Sequence, residues 1–462
     1  MNRTKRLYVL LGVLLICCVL TLGVSKYEER KEKIRNSDEI IMELKSEDVT
    51  SVSWECGSGT FAFHKDETWL YDDDENFPVN EEKIGGLLEN FESLSVSFII
   101  EDAEDLSQYG LDDPLCKIKI AAGEENYEIS LGNYSEMDEE RYVSVGDGNV
   151  YLVQEDPLNA FDIELSEMIQ HDEIPKFDSV TEIEFAGSEN YKAVYKEENK
   201  VTYSEEDVFF AEEDGEEIPL DTENVDRYME VISELNLTDY VSYNVTDDEL
   251  KAYGLDKPDL DVSFKYRVSD DEGGEEQEGT ATLHISRDPK EKEEDTDQEE
   301  EITAYARIGE SKIIYKISGL DYEDLMEASC SDLRHQEVIW ADFDDIIKAE
   351  ITLEDKEYEL TVKEEGKENV WYYQEKEINT DELRDALNSL SAAEFTEKEP
   401  SGKEEISLTL QIDNENQPEV RIELYRYDGN NCLAVVDGNP LSLVDRSYAV
   451  DLIEAVNAIV LN

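Results

Sequence analysis

Carboxylates are the residues best able to do chemistry in this chain, because 118 of its 462 residues are Asp or Glu. The acidic runs at residues 72–75 and 212–217 could hold Ca²⁺ through carboxylate oxygens. They lack, however, the spaced ligands and central glycine of an EF-hand loop. We therefore expect solvated acidic turns with weak, diffuse cation binding and no metal site. Paired carboxylates would also suit glycan hydrolysis, but the sequence singles out no pair.

The four histidines offer no second route to catalysis. They are far apart and show no HExxH spacing, so a zinc site is not predicted; they are His64, His171, His284 and His335. The sequence also contains no GxSxG, phosphate-loop or GxGxxG motif. It consequently predicts no catalytic residue and no cofactor, and it favours a non-enzymatic protein.

Six cysteines are present, and Cys17 and Cys18 fall inside an apolar segment. The other four are widely spaced: Cys56, Cys116, Cys330 and Cys432. Single buried cysteines usually behave as small apolar residues, so the sequence favours thiols. A bridge between Cys56 and Cys116 is the alternative that spacing leaves open.

The net charge of −77 excludes two classes of partner. Nucleic acid and anionic lipid headgroups are both repelled by a body this acidic. The chain nevertheless carries 25 Tyr, 13 Phe and 4 Trp, and its apolar residues are periodic. Disordered acidic tails lack both features, so we expect acidic folded modules.

An apolar segment near the amino terminus predicts a membrane anchor. Residues 7–24, from Leu7 to Val24, carry no charge, and as a helix they cover about 27 Å of the roughly 30 Å bilayer core. A signal peptide cleaved near Gly23 is the alternative. The Lys/Arg count alone would place the body in the cytoplasm. We expect instead a single-pass membrane protein whose bulk is extracytoplasmic.

The elements that must position any site repeat along the chain. Three predicted helices carry apolar residues at identical offsets, and each follows an aromatic strand and a polar cap at Asn80, Asp221 or Asn379. Their stripes are Ile84, Leu87, Leu88, Phe91 and Leu94; Val225, Tyr228, Met229, Ile232 and Leu235; and Leu383, Ala386, Leu387, Leu390 and Ala393. This pattern predicts a tandem repeat of three modules.

A signature of five residue types occurs twice, 144 residues apart. Each copy reads as a helix end, with glycine in the left-handed position, leucine folding back on the leucine five residues earlier, and proline stopping the helix. We interpret it as a structural repeat marker. Its residues are Tyr109, Gly110, Leu111, Asp112 and Pro114, and then Tyr253, Gly254, Leu255, Asp256 and Pro258.

Each module reads as hairpin, helix, antiparallel meander and helix, which predicts the α+β class. Acidic stretches at 269–278 and 288–301 are expected to be solvated loop insertions in the second module. The predicted organisation is an anchor at 1–25, a charged helical stalk at 26–47, and modules at 48–176, 177–337 and 338–462.

The anchor, the repeated signature and the meander at 127–153 together resemble the domain of unknown function 4340 family, over residues 48–333. The resemblance implies a membrane-anchored, extracytoplasmic repeat protein, often encoded near ABC transporter components of the gliding-motility type. It carries over no catalytic residue. We expect a binding or scaffold protein of a cell-envelope complex, beside an ABC transporter or other envelope proteins. An envelope glycan hydrolase and a passive structural spacer are the alternatives.

Overall fold

The computed structural model describes residues 34–36, 39–101, 103, 105–198, 201–204, 206–213, 216–269, 276–293, 302–365 and 368–461. The chain divides into two compact units between His171 and Asp172. Both are α+β, with mainly antiparallel sheets and few helices, as the sequence predicts.

Unit 1 contains helices α1 (Glu81–Glu92) and α2 (Leu158–Phe161) and 3₁₀ turns at Ser46–Asp48, Leu106–Tyr109 and Leu165–Met168. Its strands are β1 (Ile34–Asn36), β2 (Ile40–Met42), β3 (Val49–Cys56), β4 (Gly59–Lys65), β5 (Trp69–Tyr71), β6 (Leu94–Ser95), β7 (Phe98–Ile100), β8 (Cys116–Ala122), β9 (Glu125–Ser135), β10 (Glu140–Ser144) and β11 (Val150–Val153).

Unit 2 begins with β12 (Ser179–Ala186), β13 (Asn190–Tyr195), β14 (Phe209–Glu213), β15 (Glu216–Pro219), β16 (Tyr240–Ser242), β17 (Leu260–Val268), β18 (Gln277–Arg287), β19 (Ala304–Ile308) and β20 (Ile314–Ile317). The helices of this half are α3 (Thr222–Ser233), α4 (Asp247–Ala252), α5 (Pro289–Glu293), α6 (Gly319–Met326) and α7 (Cys330–Leu333).

The second half of unit 2 has a 3₁₀ turn at Phe343–Asp345 and helices α8 (Asp381–Asn388) and α9 (Arg446–Val460). Its strands are β21 (Ile346–Leu353), β22 (Lys356–Glu365), β23 (Glu368–Tyr373), β24 (Lys376–Glu377), β25 (Ala392–Phe395), β26 (Glu404–Ile412), β27 (Glu419–Arg426), β28 (Asn431–Val436) and β29 (Asn439–Asp445).

The structure contains three nine-stranded sheets, of which two have the same strand order and the first differs in one strand. The second sheet runs β15-β14-β13-β12-β17-β18-β19-β20-β16, and the third runs β24-β23-β22-β21-β26-β27-β28-β29-β25. The first runs β5-β4-β3-β8-β9-β10-β11-β7-β1, which matches in eight strands and replaces the fourth, short strand with β1 at the other edge. A small pair, β2 and β6, completes unit 1. Each meander therefore lies beside a hairpin that comes earlier in the chain.

The predicted apolar stripes are buried against the sheets. Helices α1, α3 and α8 bury their stripe residues, because an apolar face on one side of a helix is stabilised by removal from water. Leu94, Leu235 and Leu390 are also buried, although they follow the helix ends. The prediction that Ala393 belongs to the third helical stripe is wrong, because α8 ends at Asn388 and Ala393 lies exposed on β25.

Two of the three predicted helix caps are as expected. Asn80 accepts a hydrogen bond from the Lys83 N–H (3.0 Å), and Asp221 accepts one from the Glu223 N–H (2.9 Å). In the third case the capping residue is Thr380, and Asn379 lies one position earlier, where its Oδ1 accepts from the Asp381 N–H (2.8 Å).

Several sequence-based predictions need correction. Residues 34–36 and 40–42, predicted as part of a helical stalk, form strands because they pair with β7 and β6. Pro289–Glu293, predicted as an acidic loop, forms α5. The predicted anchor at 7–24 lies outside the described residues. Among those that are described, no helix is both long and apolar enough to cross a membrane.

Cys56 and Cys116 form a disulfide, contrary to the preference for thiols. They are separated by 60 residues in sequence but lie at the end of β3 and the start of β8, which are neighbouring antiparallel strands with Glu55 opposite Lys117. The sequence missed this pairing because it depends on strand order. Cys330 and Cys432 remain thiols.

Candidate binding cleft

The two halves of unit 2 are joined through Tyr203, which precedes β14. Its side chain is only 9% exposed and belongs to the hydrophobic core of the third sheet, with Val338 and Phe343. Its hydroxyl accepts a hydrogen bond from the Trp340 backbone N–H (3.3 Å), and its carbonyl accepts one from the Asn414 side chain (2.8 Å). Burial raises the pKa of Tyr203, so the hydroxyl stays neutral.

Asp207 fixes the same joint with a buried carboxylate. One oxygen lies 2.8 Å from Nε2 of His335, and the other accepts a hydrogen bond from the Trp340 indole N–H (3.0 Å). The imidazole stacks on the indole at 4.3 Å between ring centroids, and its Nδ1 lies 3.8 Å from Asp221. Burying a carboxylate is costly unless donors surround it, so this contact set holds the two halves in one arrangement.

A cavity of about 800 Å³ opens over this joint, and we call it the acidic cleft. Among the described lining residues, Arg384 is the only one with a fixed positive charge, and it already contacts Asp344 (2.7 Å). Nine carboxylates line the cleft: Glu206, Asp207, Asp221, Glu223, Glu337, Asp342, Asp344, Asp345 and Asp413. The cleft is therefore strongly negative.

The pKa of Asp345 is raised in this negative surrounding. Burial raises its pKa, and repulsion from Asp342, Asp413 and Asp344 raises it further. A cationic group placed in the cleft would relieve that repulsion. Within the described ranges no cluster of three or more His, Cys, Asp or Glu side chains is arranged to hold a metal ion. The negative charge of the lining suits a cationic group such as an amine or a guanidinium.

The acidic run at 72–75 makes local contacts instead of a ligand cage. Asp72 lies 2.6 Å from Nδ1 of His64, and Asp73 accepts a hydrogen bond from the Tyr71 hydroxyl (3.1 Å). In the second sheet His284 contacts Asp261 in the same way, at 2.5 Å. These histidines thus occupy single carboxylate contacts on strands.

The signature glycines occupy the backbone conformation that the sequence requires of them. Gly110 has φ +69° and Gly254 has φ +77°. The following leucine N–H donates to the carbonyl five residues earlier, at 3.1 Å in the first copy and 2.8 Å in the second. Tyr109 and Tyr253 pack against Tyr142 and Tyr305.

The other signature residues are split between core and surface. Leu111 and Leu255 are buried, Asp112 and Asp256 are exposed, and Pro114 and Pro258 precede strands β8 and β17. Leu106 is 37% exposed, and Leu111 packs with Val150 and Leu152. Leu250 joins the cluster of Leu255.

The second signature copy does not line the acidic cleft, and sequence reasoning missed the residues that do. Tyr203, Asp207 and Trp340 come from two segments more than 130 residues apart along the chain. The available signal was local: an aromatic residue within an acidic loop, and a tryptophan just after His335.

The fold and cleft define an α+β protein built on mainly antiparallel sheets. The sequence model of the family described as domain of unknown function (DUF4340) matches residues 69–258 and 216–409, two overlapping segments that span most of the chain. The protein belongs to this family. No curated protein and no solved structure gives a significant match.

Proposed function

We propose that the protein is a non-enzymatic, membrane-anchored binding or scaffold protein of a cell-envelope complex, with its bulk outside the cytoplasm. The observation that carries the location is the Cys56–Cys116 disulfide, because such bonds form and persist in oxidising compartments. The uncharged run at 7–24 supplies the anchor.

Fusion of alkaline phosphatase after Asn462 tests this location. The enzyme folds only where its own disulfides form, so we expect an active fusion and digestion of the body by protease added to cells with a permeable outer layer. An inactive fusion with a protected body would contradict the proposal. The intact mass of the mature protein decides between a retained anchor and cleavage near Gly23.

The finer architecture is also a proposal: one transmembrane helix followed by three tandem modules at 48–176, 177–337 and 338–462. The shared strand order of the three sheets supports it. Within this proposed architecture, the contacts of Tyr203 and Asp207 link residues of the second module to residues of the third. Such contacts would hold the surfaces of the two modules at a fixed spacing, which suits a scaffold.

On this proposal the acidic cleft recognises a basic side chain of a partner protein. Titration of the full chain with hexalysine should give saturable heat, weaker at high salt, because exposed charges are screened. A D345N/D413N double variant should lose most of that heat, whereas D256N, on an exposed signature residue outside the cleft, should not. Equal heats in all three would remove the cleft from the proposal.

The family resemblance points to ABC transporter components as partners, and a pull-down from detergent extracts tests this. Mass spectrometry of material bound to the full chain should recover transporter or other envelope subunits. Recovery of none would count against the scaffold role and favour a passive spacer.

One observation favours envelope glycan hydrolysis as a second candidate. Among the nine carboxylates of the acidic cleft, Asp342, Asp344 and Asp413 lie close enough to Asp345 to raise its pKa, and a raised carboxyl pKa is what a general acid needs. Release of reducing sugar from purified cell-wall glycan, abolished by D345N, would support it. No release by the wild-type chain would leave the binding role in place.

A further inference from the structure

In unit 1 the chain that leaves the closing 3₁₀ turn, Leu165–Met168, pairs with the entry of α1. The Asn80 N–H donates to the Met168 carbonyl (2.8 Å), and the Gln170 N–H donates to the Pro78 carbonyl (2.7 Å). Met168 and Ile169 are almost fully buried at this contact, with Ile169 opposite Val79. The space beside the helix cap is thus filled by a short extended segment.

The first half of unit 2 fills the equivalent space in the same manner. The Asp221 N–H, at the cap of α3, donates to the carbonyl of Leu333 (2.9 Å), the last residue of α7. Leu333 is 3% exposed. In both places, therefore, a cap N–H meets the last residue of a closing helical segment, and that residue carries a buried apolar side chain.

In the second half of unit 2, none of the described segments fills the equivalent space beside the start of α8. The Ile378 N–H donates to the Trp371 carbonyl (2.9 Å), as the Leu220 N–H donates to the Phe209 carbonyl (2.9 Å), so Asn379 stands where Asp221 stands. Within the described part of the chain, however, the Asn379 N–H meets no acceptor. A groove of about 800 Å³ opens there, lined by Ile378, Leu383, Ala455, Ile459 and Leu461.

We propose that this strand-acceptor groove binds an extended segment of a partner polypeptide. An apolar residue of the segment would take the place that Met168 or Leu333 occupies elsewhere, and the backbone carbonyl of that same residue would accept a hydrogen bond from the Asn379 N–H. Main-chain hydrogen bonds supply affinity in such strand addition, and the apolar pocket supplies selectivity. Three carboxylates line the groove against one lysine, which favours a segment with basic flanks; they are Glu377, Asp381 and Glu382, and the lysine is Lys376.

The probes are two fluorescent peptides with the sequences of residues 164–171 and 329–335, which fill the equivalent spaces in this protein, each extended by one lysine at both ends to supply the basic flanks. We expect saturable fluorescence polarisation with the full chain in detergent for at least one peptide. Ala458→Arg, at an exposed groove position, should weaken binding at least tenfold. Glu454→Arg, exposed one turn earlier on the same helix and outside the groove lining, should change the Kd less than twofold.

Hydrogen exchange gives a second readout that does not depend on a variant. The Asn379 amide should exchange more slowly when peptide is bound. No saturable binding of either peptide, or binding that Ala458→Arg leaves intact, would overturn the proposal. Dimerisation that Ala458→Arg abolishes, without peptide binding, would assign the groove to a second copy and also contradict it. Each of these results leaves the proposed cellular location standing, since peptide binding is measured in solution.

Discussion

The pKa of His64 depends mainly on its contact with Asp72. Its hydrogen bond to Asp72 raises its pKa above the ordinary value of 6.5, and the nearby negative charges add to that rise. Because the folded-state pKa is the higher one, the stabilisation is fully present below about pH 6.5 and is lost as pH rises through the folded pKa. NMR titration should show the raised pKa, and Asp72→Asn should lower it. An unchanged titration in that variant would contradict the contact.

Gly110 is a signature position where adding a side chain should destabilise the fold. A Cβ there would meet Asn133 at 2.5 Å, and φ is +69°. We expect Gly110→Val to lower the free energy of unfolding of unit 1 by about 1–2 kcal/mol. Thermal melts check this, with Gly86→Ala in α1, which has open space, as a neutral or slightly stabilising control. An unchanged melting temperature for Gly110→Val would refute the structural role.

At the scale of elements, the features that depend on nearby residues could be predicted from the sequence, and those that depend on distant residues could not. The stripe of α1 and the caps Asn80 and Asp221 were predictable because they depend on residues within about one or two turns. The disulfide and the buried position of Tyr203 were not, because each depends on which distant strand becomes a neighbour. Candidate site residues were missed for that reason, while the repeat signature was visible.

The joint between the halves of unit 2 should fail when its buried carboxylate is removed. Asp207→Ala leaves His335 and the Trp340 indole N–H without their acceptor, so we expect a loss of about 3 kcal/mol in the free energy of unfolding of unit 2. Asp344→Ala breaks only an exposed pair with Arg384 and should cost less than about 1 kcal/mol. Urea titrations compare the two variants. An equal decrease in the free energy of unfolding in both would contradict the role of Asp207 in joining the two halves.

For the whole molecule, the net charge and the disulfide are both compatible with the proposed location outside the cytoplasm. On the proposed location, the net charge of −77 would repel anionic lipid surfaces, while the proposed anchor would concentrate the protein at the membrane. The disulfide in unit 1 fits an oxidising compartment. On this proposal unit 2 would present its acidic cleft and strand-acceptor groove outside the cytoplasm, where envelope partners can reach them.

The most direct test of this account is labelling of Met137→Cys in intact cells. Met137 lies at the tip of the β9–β10 hairpin and is 89% exposed, so a cysteine there is open to reagent wherever the body lies. A membrane-impermeant maleimide should label this variant before lysis, above the level of the wild-type chain. Labelling that appears only after lysis would place the body in the cytoplasm and contradict the proposed function.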